Sequence, residues 1–235
     1  MDDRIKTEIN KANHKYYFKL KDKENDILEI SEENVLLAEA FYQIRFRKYH
    51  KDINLDEMET VPEAKPKEWS TKTCFLAMKK WPDEFEKLLG FACIAINAEN
   101  STHLKKKERK AIVKVIVEKQ KTLDEFKNAL TCKGYPIIQE IRGLKDTSKG
   151  IRDNYSFATK LCHFACFYLF DGDARDIYSI YDSVLIDSLK KLGCKGNYKD
   201  PQKGYKNYQN AIGEIIKGKG ISRNGFDHLM WVYYS

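Results

Sequence analysis

The run Asn154 to Phe170 holds a single formal charge, Lys160, among residues otherwise fit for burial. At 3.6 residues per turn Phe157, Leu161, Phe164, Ala165 and Tyr168 form a broad apolar face and leave almost no polar side. Such a helix has to be enclosed by other elements, in a core or along a cleft wall. The chain can supply them: 235 residues, 42% of them hydrophobic, are enough for one substantial core or two small ones, which excludes disorder and a miniprotein.

Helical periodicity governs most of what surrounds this run. Ser31, Glu32 and Glu33 precede apolar residues at Val35, Leu36, Ala38, Phe41, Tyr42 and Ile44, an acid-started helix with a basic end at Arg45, Arg47 and Lys48. Lys51 to Lys67, with Pro62 and Pro66, reads as a connection. Helices follow over Trp69 to Lys80, Pro82 to Asn97, Ser101 to Lys119 and, opened by the capping-box pattern Thr122 to Glu125, on to Leu130. Gly134, Pro136, Gly143 and Gly150 punctuate the chain beyond. Tyr16 to Leu20 and Ile27 to Ile30 fit a short hairpin or a ragged extension. The class is mainly α, with about ten helices.

No apolar run reaches the roughly 20 residues of a membrane span, and Met1 to Asn10 is charged, so a cytoplasmic chain without membrane partner is expected. The net charge of +7 favours a polyanionic partner. Cysteines at 74, 93, 132, 162, 166 and 194 form no CxxC pair and no finger spacing, so neither a metal nor a cofactor is called for. Cys162, His163 and Cys166 read as core packing, and nothing marks a cysteine as an activated nucleophile.

An ammonium inside the apolar run loses hydration, so Lys160 must find a carboxylate, reach solvent, or give up its proton at a lowered pKa, which makes a nucleophile. Asp182 follows in Ile180-Tyr181-Asp182-Ser183-Val184, at the opening of another amphipathic helix. If the helix includes it, the carboxylate projects between Ile186 and Leu189. If the helix begins there, Asp182 is its N-cap.

Ser156-Phe157-Ala158-Thr159-Lys160 and Asp182-Ser183-Val184 together resemble the helix-hairpin-helix DNA glycosylases of the endonuclease III and 8-oxoguanine glycosylase type. Their hallmark is a Gly-hydrophobic-Gly-x-Lys hairpin followed by a buried turn ending in Asp-Thr-x-Val. The resemblance implies a fold of two helical lobes, here 1–133 and 134–235, a DNA partner and base excision. In it Lys160 would attack the sugar of a flipped nucleotide and Asp182 would support the sugar cation, with strand cleavage through Lys160 as an added step. Asn154 and Ser156 would belong to a phosphate-holding hairpin, and Tyr155, Tyr181 and Trp231 would be aromatic candidates for the base pocket. The alternatives are a nucleic-acid-binding module of the same fold without chemistry, and a helical protein-interaction domain. Near the end, Tyr198, Tyr205 and Tyr208 alternate with lysines, as base and phosphate contacts or as rings covering a helix junction.

Overall fold

The computed structural model describes residues 14–46, 53–100, 102–201 and 203–235. A hairpin is present near the start but is shorter than expected and displaced. Leu20–Asp22 (β1) pairs antiparallel with Ile27–Leu28 (β2), and Tyr16 and Tyr17, read as the start of the first strand, belong to a 3-10 turn, His14–Tyr17. Asp22 makes the turn by accepting the Glu24 and Asn25 N–H groups at 2.9 and 3.2 Å, the local bonding that aspartate offers in place of a ladder.

Glu32–Phe46 (α1) starts behind Ser31 with two glutamates in its first turn. Its expected basic end at Arg45, Arg47 and Lys48 lies outside the described side chains. Ser70 caps Thr71–Lys80 (α2) by accepting the Thr73 N–H at 3.1 Å. A 3-10 turn at Pro82–Glu84 leads into Phe85–Glu99 (α3).

The next helix begins at Lys106, not Ser101, and runs Lys106–Lys119 (α4). The reason is local. Asn97 Oδ1 accepts the Leu104 N–H at 2.6 Å and the Thr102 hydroxyl at 2.8 Å, and His103 takes φ 54, so the segment turns before it can wind. Thr122 caps Leu123–Thr131 (α5) as its pattern requires. Pro136–Gly143 (α6) is a helix where the residue order reads only as punctuation. Proline at its start is already set at helical φ, and Ile137, Ile138 and Ile141 give it a buried face. Tyr155–Leu169 (α7), Ser183–Lys191 (α8), Gly204–Ile216 (α9) and Arg223–Tyr234 (α10) complete the ten α-helices among the described residues. No described helix is long and apolar enough to cross a membrane.

The contacts group these elements into two units with boundaries other than 1–133 and 134–235. Residues 14–46, 182–198 and 207–235 form the first, and 53–181 with 199–206 the second. Position 133 falls inside the second unit because α4 packs on α6, and α5 on α6 and α7. There α7 lies against α2, α3, α5 and α6, the enclosure that its apolar faces demand. Burial pushes the thiols of Cys74, Cys93 and Cys166 up to about 12 and raises Cys162 as well, so these cysteines are inert packing. His163 donates its Nδ1–H to the Tyr178 carbonyl at 2.8 Å, since a carbonyl only accepts.

In the first unit α10 packs on both α1 and α8. Gly225, in the first turn of α10, leaves room for α1: a Cβ there would sit 2.7 Å from Val35 Cγ1. Gly225→Ala is therefore expected to destabilise the protein by about 1–3 kcal/mol in chemical denaturation, through overpacking. Adding Val35→Ala should recover part of that loss; a double variant no better than the single would show that the contact is not the cause.

Candidate nucleic-acid interface

The five residues matched to the glycosylase hairpin do not form a hairpin. Ser156 to Lys160 lie within α7, which begins at Tyr155, and the Ala158 N–H already bonds the Asn154 carbonyl at 2.9 Å. With alanine and serine where a tight turn needs glycine, the segment continues as helix. Within α7, Ser156, Lys160, Phe164, Phe167 and Tyr168 are half-buried and every other residue is buried. These positions recur every three or four residues, so Lys160 sits on the one stripe of α7 that keeps a route to solvent. Its ammonium has no hydrogen-bond or ion-pair partner among the described residues.

Asp182 is the N-cap of α8. Its backbone is extended, φ −143 and ψ 177, and its Oδ1 accepts the Leu185 N–H at 3.0 Å. It belongs to the first unit, as does Trp231, a half-buried residue of α10, whereas Lys160 belongs to the second.

Four of the residues singled out from the sequence share the second unit at the start of α7: Asn154, Tyr155, Ser156 and Tyr181. The rings of Tyr155 and Tyr181 stack at 4.0 Å and 24°. Arg142 extends the column, its guanidinium 4.0 Å over Tyr155, while pairing with Asp153 through two bonds at 3.3 and 3.1 Å. Burial raises the Tyr155 and Tyr181 phenols. Thr159 Oγ1 accepts the Tyr181 N–H at 3.0 Å, which ties the extended segment before α8 to α7. Asn154 is buried at the α7 N-cap, makes no side-chain cap, and leaves Nδ2 without a hydrogen-bond partner among the described residues. Tyr198, Tyr205 and Tyr208 are all buried, Tyr205 donating to the Ser179 carbonyl at 2.9 Å, so these rings cover packing contacts and do not face a ligand.

Charge is distributed more unevenly than the total reveals. Residues 103–152 contain 14 Lys and Arg against six Asp and Glu, so the chain's +7 is concentrated there, all within the second unit. Lys105, Lys106, Lys107 and Lys110 are exposed around the start of α4, and Lys149 and Arg152 are exposed in the turn before α7.

Beneath these cations lies Glu108, whose side chain is 0% exposed. Oε2 accepts the Lys105 N–H at 2.8 Å; Oε1 accepts the backbone N–H and Nε of Arg152 at 3.2 and 3.3 Å. The Arg152 guanidinium, 54% exposed on its outer side, also donates to the His103 carbonyl at 2.8 Å. Lys107 Nζ donates to the Lys149 carbonyl at 2.6 Å. Asp146 closes the turn, accepting Ser148 N–H and Oγ–H at 3.1 and 2.6 Å, and Asp146 pairs with Ile151 in an antiparallel bridge. Neither Glu108 nor Arg142 carries a sequence signal strong enough to find it: the residue three before Glu108 is lysine, not the serine or threonine of a capping box.

Burial alone would raise the Glu108 carboxyl, but the N–H groups of Lys105 and Arg152 and the Arg152 guanidinium hold it below its ordinary value. Ser148 and Lys149 hold the half-buried Asp146 carboxyl down to about 2. Comparison with protein-family models, with curated proteins and with solved structures gives no match to this chain.

Both carboxylates at helix starts can be tested by substitution. Asp182→Ala should cost about 1 kcal/mol in thermal or denaturant unfolding, whereas Asp182→Asn, an equally good cap, should cost little; equal losses would contradict the capping role. The stabilising effect of Glu108 is complete above the ordinary carboxylate range and disappears as pH falls through its depressed folded value. Glu108→Gln should therefore flatten the acid side of a stability-against-pH curve, and a curve of unchanged shape would contradict it.

Proposed function

We propose that this chain binds nucleic acid, through phosphate contacts made by the basic segment 103–152. The observation that carries the reading is the concentration of the whole net charge in that segment, with exposed lysines and arginine gathered at the start of α4 and in the turn before α7. A polynucleotide presents many phosphates to such a surface, and release of its condensed counterions drives association. The segment that would have to form a hairpin to place Lys160 against a flipped nucleotide is helix, which favours binding over chemistry.

Base excision is a second reading, favoured by one observation: Lys160 is half-buried on α7 with no hydrogen-bond or ion-pair partner among the described residues. Borohydride trapping on duplexes bearing altered bases tests it. An adduct that disappears in Lys160→Ala supports excision; its absence leaves binding alone.

For the binding reading, fluorescence anisotropy with a labelled duplex of about 20 base pairs between about 50 and 200 mM salt is the direct measurement. The logarithm of the association constant should fall linearly with the logarithm of salt, by about 0.9 for each phosphate neutralised. Salt-insensitive retention, or binding confined to anionic lipid vesicles, would overturn it.

A further inference from the structure

Simple electrostatics makes every carboxylate in segment 103–152 an opponent of a polyanion. The placement of Glu108 argues the reverse. We propose that Glu108 is the positioning residue of the nucleic-acid surface, joining the first turn of α4 and the turn 146–152 into one array of phosphate contacts while touching no phosphate itself. The inference rests on the binding reading and deepens it.

Three observations converge. The carboxylate is wholly covered, so its field reaches a bound backbone far less than the cations above it do. Both its oxygens are spent on N–H groups of two segments more than 40 residues apart in sequence, Lys105 and Arg152. The segments are joined a second time by Lys107 Nζ on the Lys149 carbonyl, beside Gly150 at φ 62, where a Cβ would lie 3.1 Å from that amine. Without the ties, Lys106 and Lys110 on one side and Lys149 and Arg152 on the other would repel each other apart. With them, the cations are held in one register before a ligand arrives, so less ordering is needed on binding.

Glu118 is the internal control: it is exposed, lies on the same helix and, among the described residues, pairs only with Lys114, at 3.6 Å. Removing either acid makes the chain more positive by one. Anisotropy titrations of the full chain with the duplex should show Glu108→Ala binding about fivefold more weakly at about 100 mM salt, with a salt slope lower by about one for each phosphate that the surface no longer reaches. Glu118→Ala should bind as tightly as the unaltered chain or more tightly. Lys106→Ala with Lys110→Ala should lower the slope by about two. A merely structural role would lower the active fraction and leave the slope where it was.

Where Glu108→Ala does not fold, Glu108→Gln keeps the shape and one acceptor oxygen and should still weaken affinity about twofold, since a neutral amide holds the Arg152 guanidinium less strongly than a carboxylate. A folded Glu108 variant that binds as tightly as the unaltered chain, or more tightly, overturns the positioning role and leaves the binding reading standing. No salt-dependent binding by the unaltered chain overturns the reading beneath it.

Discussion

Enclosure of α7 is the constraint on which the second unit depends. Ten of its 15 residues are buried, and no arrangement that leaves such a helix on a surface avoids exposing a large apolar area. The solution is to surround it with α2, α3, α5 and α6, so that each contributes one apolar stripe. Enclosure also fixes what lies just before the helix. The turn 146–153 has to arrive at the α7 start from one side, and it is there that Arg152 meets Glu108 and Asp153 meets Arg142. The basic surface is thus positioned by a packing requirement some residues away from it.

Much of this was legible from residue order. Periodicity located most helices, and Thr122, as its pattern suggested, caps a helix. Other features turned on contacts that sequence spacing does not encode. The start of α4 shifts to Lys106 because Asn97, on the preceding helix, captures the Leu104 N–H. Pro136 is ambiguous because proline both ends helices and begins them, and only the buried isoleucines behind it decide. The resemblance to a hairpin rests on residue types in order; the backbone conformation depends on glycines that this chain lacks at 156 and 158.

The candidate site was legible in part for the same reason. Tyr155 and Tyr181 could be named from the sequence as aromatic candidates for a base pocket; that the two rings are buried and stack on each other could not. Arg142, which completes the column, could not, since a surface arginine and a stacked one look alike in a string of letters. For Asp182 the sequence allows both a helix-interior carboxylate and a cap; the extended backbone at 182 makes it the cap, with an oxygen on the Leu185 N–H. The +7 pointed to a polyanion, and its concentration in 103–152 can be counted from the residues; what residue order does not reveal is that Glu108 joins the start of α4 to Arg152.

Crowding of like charge has a physical consequence that the fold has to meet. Cations around one helix start repel one another over a Debye length, about 8 Å at physiological ionic strength, and also oppose the positive end of the helix dipole. An exposed carboxylate among them would relieve the repulsion by cancelling the outward field. A carboxylate placed beneath them relieves it differently: it satisfies orphan N–H groups at the helix start, lowers the energy of the clustered cations from below, and leaves their outward side positive. Glu108 is in that second position, whereas Asp146, with 31% of its side chain exposed, pairs with Lys149 at the surface of the turn. The acids of this segment therefore differ in consequence according to depth, and a count of charges alone understates how positive the surface is.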